Sequence, residues 1–169
     1  TWFGNRNSLL ISLDPEKGHS VNAGVYYLQE FGARTGKAVV EPLISYHYDN
    51  KNTEIKFGSF LREYIPQQPD FLLNSKFKYL NATAEGFLVN REFSNISYNF
   101  WVDWLSRQTR EDHEIFLFGF KSSFRVGRLY SDLFYLYNHI AGRERDIYEE
   151  SDPVSDESGL ILRAGFSET

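Results

Sequence analysis

Trp101 and Asp103 stand two residues apart in the run Asn-Ile-Ser-Tyr-Asn-Phe-Trp-Val-Asp-Trp-Leu-Ser from Asn95 to Ser106, and in an extended chain residues two apart share a face. An aromatic ring beside a carboxylate can hold a sugar, by stacking and by hydrogen bonds to its hydroxyls. The bland alternative is that Trp101 fills the interior of a barrel or joins an interfacial girdle. Glu41, Glu85 and Asp103 supply carboxylates, but acid/base hydrolysis of a glycoside needs two of them held roughly 5 to 10 Å apart. Their spacing in sequence singles out no such pair. Lys56, Arg62, Lys121 and Arg125 fall on the same polar faces as Glu41, Glu54 and Asp103. In a barrel such charges line the lumen, where they form either a selectivity ring or a set of mutual ion pairs that plugs the passage. His19, His47, His113 and His139 lie far apart and cysteine is absent, so neither a metal site nor a cofactor is expected. No phosphate-binding glycine loop, nucleophile elbow or metalloprotease helix occurs. The residues therefore point away from catalysis, and no catalytic residue is expected.

Bulk properties narrow the field further. The net charge is −5, which argues against a nucleic-acid partner. Aromatic residues make up 17% of the 169, nearly all of them Phe and Tyr, which favours strands. There is no apolar run of about 18 residues, so no transmembrane helix is expected. The chain contains no methionine and starts at Thr1-Trp2-Phe3, which suggests a piece of a longer barrel.

The elements that must position these residues read as strands. Tyr98, Phe100, Val102 and Trp104 alternate with Asn99, Trp101 and Asp103, and then Phe116, Phe118, Phe120 and Phe124 alternate with Gly119, Lys121, Ser123 and Arg125. Two adjacent strands thus carry one aromatic wall and one polar wall. In a soluble domain the aromatic wall is the core; in a transmembrane barrel it faces lipid. Further strands are expected over Ser8 to Leu13, His19 to Phe31, Lys37 to Asp49, Thr53 to Arg62, Glu85 to Asn90, Leu129 to Ile140 and Leu160 to Phe166. Asp14-Pro15-Glu16-Lys17-Gly18 reads as a turn, and Pro42 marks an edge, bulge or bend. Long loops are expected at 63–84 and 141–158, the second polar and acidic.

Every second connection is short and the others are longer, the pattern of a membrane barrel with tight turns on one side. Several runs reach about 10 to 13 residues, long enough for a tilted spanning strand. The reading is a single all-β domain over residues 1–169: an antiparallel up-and-down meander forming a transmembrane-type β-barrel or part of one, with about eight or nine strands. Val25-Tyr-Tyr-Leu-Gln-Glu-Phe-Gly32, Trp101-Val-Asp-Trp-Leu-Ser-Arg-Gln-Thr109 and Glu114-Ile-Phe-Leu-Phe-Gly-Phe120 resemble stretches of uncharacterised porin-like outer-membrane barrels of Gram-negative bacteria. That resemblance implies an envelope protein for the passage or binding of small solutes or sugars, without catalysis, in contact with the lipid bilayer. Glu41, Glu54, Lys56, Arg62, Trp101, Asp103, Lys121 and Arg125 are then the lumen-facing candidates, and Tyr98, Phe100, Val102, Phe116, Phe118, Phe120 and Phe124 the lipid-facing ones. The alternative is a soluble periplasmic or extracellular sandwich or barrel that binds a carbohydrate or a hydrophobic ligand.

Overall fold

A computed structural model describes residues 4–32, 38–66, 68–143 and 153–167. Its strands are β1 (Gly4–Glu16), β2 (His19–Glu30), β3 (Val39–Asn50), β4 (Thr53–Leu61), β5 (Thr83–Glu92), β6 (Ile96–Ser106), β7 (Ile115–Val126), β8 (Leu129–Ile140) and β9 (Ser155–Phe166). They form one nine-stranded antiparallel meander in the order β1 to β9, and among the described residues no ladder joins β9 to β1, so the sheet is open. The connections 17–18, 51–52, 93–95 and 127–128 are tight and lie at one end; all the longer ones lie at the other. Gly18, at φ 83°, supplies the left-handed residue that the first of these turns requires.

Strand boundaries differ from expectation where local signals mislead. β1 continues through Pro15 to Glu16, with a register shift between Leu13 and Glu16. An edge strand tolerates the missing donor of proline, because one side of it needs no partner. Pro42 pairs opposite Val25, whereas the β3–β4 ladder begins only at Ser45 and Gly58, so β3 behaves as an edge at that residue. β9 starts at Ser155, inside the stretch expected to be a solvated loop, because Asp156 and Glu157 pair with His139 and Asn138. The rest of the expected acidic loop, 144–152, lies outside the described residues.

Strict alternation along the ladders gives the sheet two unlike faces. One is bare and apolar: Leu9, Ile11, Ile44, Phe57, Leu160 and Leu162 are each more than 60% exposed there. Aromatic rings run across its middle, with Phe87 to Phe100 at 5.2 Å, Phe100 to Phe118 at 4.7 Å and Phe118 to Tyr135 at 6.0 Å between centroids. Such edge and tilted contacts suit the ring quadrupole and fix the register of neighbouring strands.

The other face is covered by the segment that returns from β4 to β5. This segment holds a 3-10 turn, Arg62–Tyr64, and one helix, α1 (Ser75–Leu80). Asn74 caps α1 by accepting from the Phe77 amide at 2.8 Å. Asp70 accepts from Lys78 at 2.9 Å and from Ser75 at 3.3 Å, and the Lys78 ammonium above all holds its carboxyl below the usual carboxylate range. Ile65 and Leu73 from this segment join Phe60, Leu88, Trp101, Leu117 and Leu136 in one buried cluster, and Leu61 and Ala82 join Tyr26, Leu28 and Leu43 in a second. The stretch expected to be a long loop is thus the cover of the sheet's inner face.

Trp101 is fully buried, with its indole lying where a side chain on Gly119 would go, in register across β6 and β7. Gly119→Val should therefore overpack this layer and destabilise the fold by about 1 to 3 kcal/mol. An unfolding midpoint in urea unchanged from the parent would show that the indole has room to move.

Candidate active site

The covered face collects most of the charges named from the sequence and pairs them with one another. Arg62 meets Asp103 at 2.6 Å with both side chains at least 95% buried. Arg62 also donates to the Asn81 carbonyl and to the Thr83 carbonyl, while Asp103 accepts from the Glu85 amide at 2.9 Å. Lys56 lies 3.3 Å from Glu54 and 4.0 Å from the centre of the Tyr64 ring. Glu54 accepts from Asn90 at 2.6 Å, and Glu41 accepts from Thr83 at 2.5 Å. Lys121 lies over the Phe134 ring, and Arg125, largely exposed, reaches Asp132 at 3.8 Å. Trp101 is enclosed and Asp103 is engaged by Arg62, so the pair presents no open stacking surface for a sugar. Tyr98, Phe100, Val102, Phe116, Phe118, Phe120 and Phe124 all belong to the bare face.

A different constellation stands on the bare face at the long-loop end, on β8 and β9. In register, His139 is opposite Asp156 and Tyr137 is opposite Ser158. Nδ1 of His139 lies 2.6 Å from Oδ1 of Asp156, and the Tyr137 hydroxyl donates to the same oxygen at 2.9 Å. Phe116 packs beside the imidazole, 4.7 Å between ring centroids, and Trp104 continues the aromatic row beyond it. The two side chains are partly open, 22% and 52% exposed, so a ligand arriving along the apolar face can reach them.

Loops above the pair hold it in place. Gln108 donates to the Gly142 carbonyl at 2.7 Å, His113 to the Ala141 carbonyl at 2.9 Å, and the Ala141 amide to the Glu114 carbonyl at 2.9 Å. The β6–β7 connection thus grips the end of β8 directly after His139.

The chemistry of the pair follows from the imidazole. With its Nδ1–H donated to a carboxylate, the ring has its second nitrogen, Nε2, set as the proton acceptor, and the carboxylate stabilises the imidazolium once the proton has arrived. Among the described residues no cluster of three or more His, Cys, Asp or Glu side chains could hold a metal ion, and no helix is long and apolar enough to cross a membrane.

Sequence reasoning missed this site for two reasons. His139 stands at no metal-ligand spacing, and Asp156 lies in the acidic stretch expected to be a loop. The available signal was the alternation Leu133, Tyr135, Tyr137, His139, which puts an imidazole at the end of an otherwise apolar row.

A family model described as lipid A 3'-O-deacylase-type matches residues 1–166. No curated protein matches the chain. The family match overturns the porin-like reading, and with it the expectations of solute passage, of a transport role and of no catalysis; it gives no support to a soluble sugar-binding or hydrophobic-ligand domain either. The physical reason lies on both faces. The resemblance rested on alternating aromatic strands, which any sheet with one apolar face shares, whereas the inner face is filled by the segment between β4 and β5 and the buried Phe60, Leu88 and Trp101 cluster.

Proposed function

Because the chain belongs to the lipid A 3'-O-deacylase-type family, we propose that it is a hydrolase of the outer membrane that releases an acyl chain from a lipid A-type glycolipid. The hydrogen bond between His139 and Asp156 on the bare apolar face carries this reading. His139 Nε2 takes a proton from a water whose oxygen bonds to the ester carbonyl carbon, and returns it to the sugar alkoxide as the acyl C–O bond breaks, so that the acyl chain leaves as its carboxylic acid. Asp156 holds the ring and its tautomer, and Tyr137 fixes the carboxylate by occupying the same oxygen. The lipid-facing assignment of Tyr98, Phe100, Val102, Phe116, Phe118, Phe120 and Phe124 belongs to this proposal, since it brings the pair to the level of a membrane ester. The inward residues Glu41, Glu54, Lys56, Arg62, Trp101, Asp103, Lys121 and Arg125 act in it as the internal support of the sheet.

The test is acyl release from vesicles containing lipid A, with the purified full chain and its His139→Asn variant. Release by the parent and its loss in the variant are the expected results; a parent that releases no acyl chain defeats the proposal. Membrane placement has its own check. Phe118→Arg should cost about 2 to 4 kcal/mol if residue 118 sits near the bilayer midplane. Unimpaired assembly of that variant into vesicles would rule the placement out.

A further inference from the structure

At the tight-turn end of the sheet a polar cavity of about 420 Å³ opens between the β3–β4 turn and strands β5 to β7. Its inner lining, Glu54, Asn90, Asn99 and Lys121, belongs to the covered face. Lys121 stands five residues along β7 from Phe116, the residue opposite His139, which is about 17 Å of extended strand and the other side of the sheet. The cavity is therefore separate from the dyad.

Three side chains in one row across β4, β5 and β6 set its polarity. The ionised Glu54 carboxylate can only accept, so Asn90 turns its amide nitrogen toward it, at 2.6 Å. Oδ1 of Asn90 is then left to accept, and Nδ2 of Asn99 donates to it. This relay leaves Oδ1 of Asn99 as an acceptor. That atom is buried, on a residue only 5% exposed, and has no hydrogen-bond partner among the described residues. A buried acceptor is costly to leave unmade, so the cavity calls for a ligand that brings a donor.

Lys121, opposite Asn99 in register, decides what carries that donor. Its ammonium lies 5.5 Å from the centre of the Phe134 ring and has no carboxylate partner among the described residues. The other charges of the lining cancel: Glu54 faces Lys56, and at the exposed rim Asp49 and Glu92 stand against Lys51 and Arg91. A cationic ligand is repelled by Lys121, and a neutral hydroxyl leaves its charge unmet. An anion that still carries an acidic hydrogen answers both. We infer that this cavity binds a phosphate group in a protonated form, with its P–O–H donating to Asn99 and its anionic oxygens accepting from Lys121. Arg125 and Arg163 share one carboxylate, Asp132, further along the same face, and their surplus positive charge draws an anion in. Sulfate, fully deprotonated, lacks the donor, so the site rejects it by a missing partner and not by size.

Calorimetry on the full chain in a maltoside detergent, at about pH 5.5 and fixed ionic strength, should show inorganic phosphate binding about tenfold more tightly than sulfate, the usual yield of one buried hydrogen bond. Asn99→Leu should bring the two anions level. Lys121→Gln, which leaves the Asn90 relay intact, should weaken both about tenfold. Glycerol 3-phosphate, which keeps an acidic hydrogen below about pH 6, tells a headgroup from the free ion. If it binds as well as phosphate, the ligand is an esterified phosphate such as a lipid headgroup; if inorganic phosphate alone binds, it is the free ion, and either result upholds the site. The site is refuted if the parent binds neither phosphate compound, if sulfate binds as well as phosphate, if the preference survives Asn99→Leu, or if Lys121→Gln changes nothing. Acyl release plays no part in this readout, so the hydrolase reading and the phosphate site stand or fall separately.

Discussion

Replacing His139 by asparagine is expected to lower acyl release about 10²- to 10⁴-fold, the usual contribution of a positioned general base. The loss should appear in kcat rather than KM, because the imidazole acts on the moving proton and adds little to the binding of a lipid held by an apolar face. Folding should be almost untouched, since His139 is partly open and its main partner, Asp156, is half exposed. Asp156→Asn is expected to fall in the same range for a different reason. Its side-chain amide can donate to Nδ1, which selects the tautomer whose Nε2 already carries hydrogen and cannot accept the proton. Tyr137→Phe removes a hydrogen bond to the carboxylate and leaves the base intact, so its effect should be much smaller. Equal activity of the parent, His139→Asn and Asp156→Asn proteins, with unchanged heat-dependent migration in detergent gels, would dismiss the dyad as the reacting group.

How far the sequence could be read follows from what each part depends on. The strands were legible because alternation is a local property: Tyr98 to Trp104 and Phe116 to Phe124 declare two faces without reference to any other residue. The cover was not, since the burial of Ile65 and Leu73 depends on Phe60, Leu88 and Trp101 waiting on the sheet, which no window of sequence reveals. The dyad was harder still. His139 and Asp156 become partners only through the β8–β9 register, and the acidic, turn-like composition around Asp156 concealed a strand start. A family signal spread over residues 1–166 decided against the porin reading, which the alternating strands alone could not do.

Asp103→Leu should destabilise the protein by about 3 to 5 kcal/mol, because it strands the Arg62 guanidinium, 95% buried, without its counter-charge. The damage should extend beyond the pair. Arg62 ties the covering segment to the carbonyls of Asn81 and Thr83, and Asp103 ties β6 to the Glu85 amide, so one junction anchors both ends of residues 62–82 to the sheet. Arg62→Met should cost at least as much, since it leaves the Asp103 carboxylate, 1% exposed, without its counter-charge and frees the Asn81 and Thr83 carbonyls. The double variant should recover part of the loss, as replacing a buried ion pair with apolar groups is often near neutral, though the freed carbonyls hold the recovery below completion. Urea unfolding of the parent, the two single variants and the double variant closes the cycle. Additive losses would mean that the two charges do not interact and that the cover is held by its apolar cluster alone. Coupling of the expected sign would make this junction the hinge on which the cover of the sheet's inner face depends, with faster proteolysis within 62–82 as its visible companion.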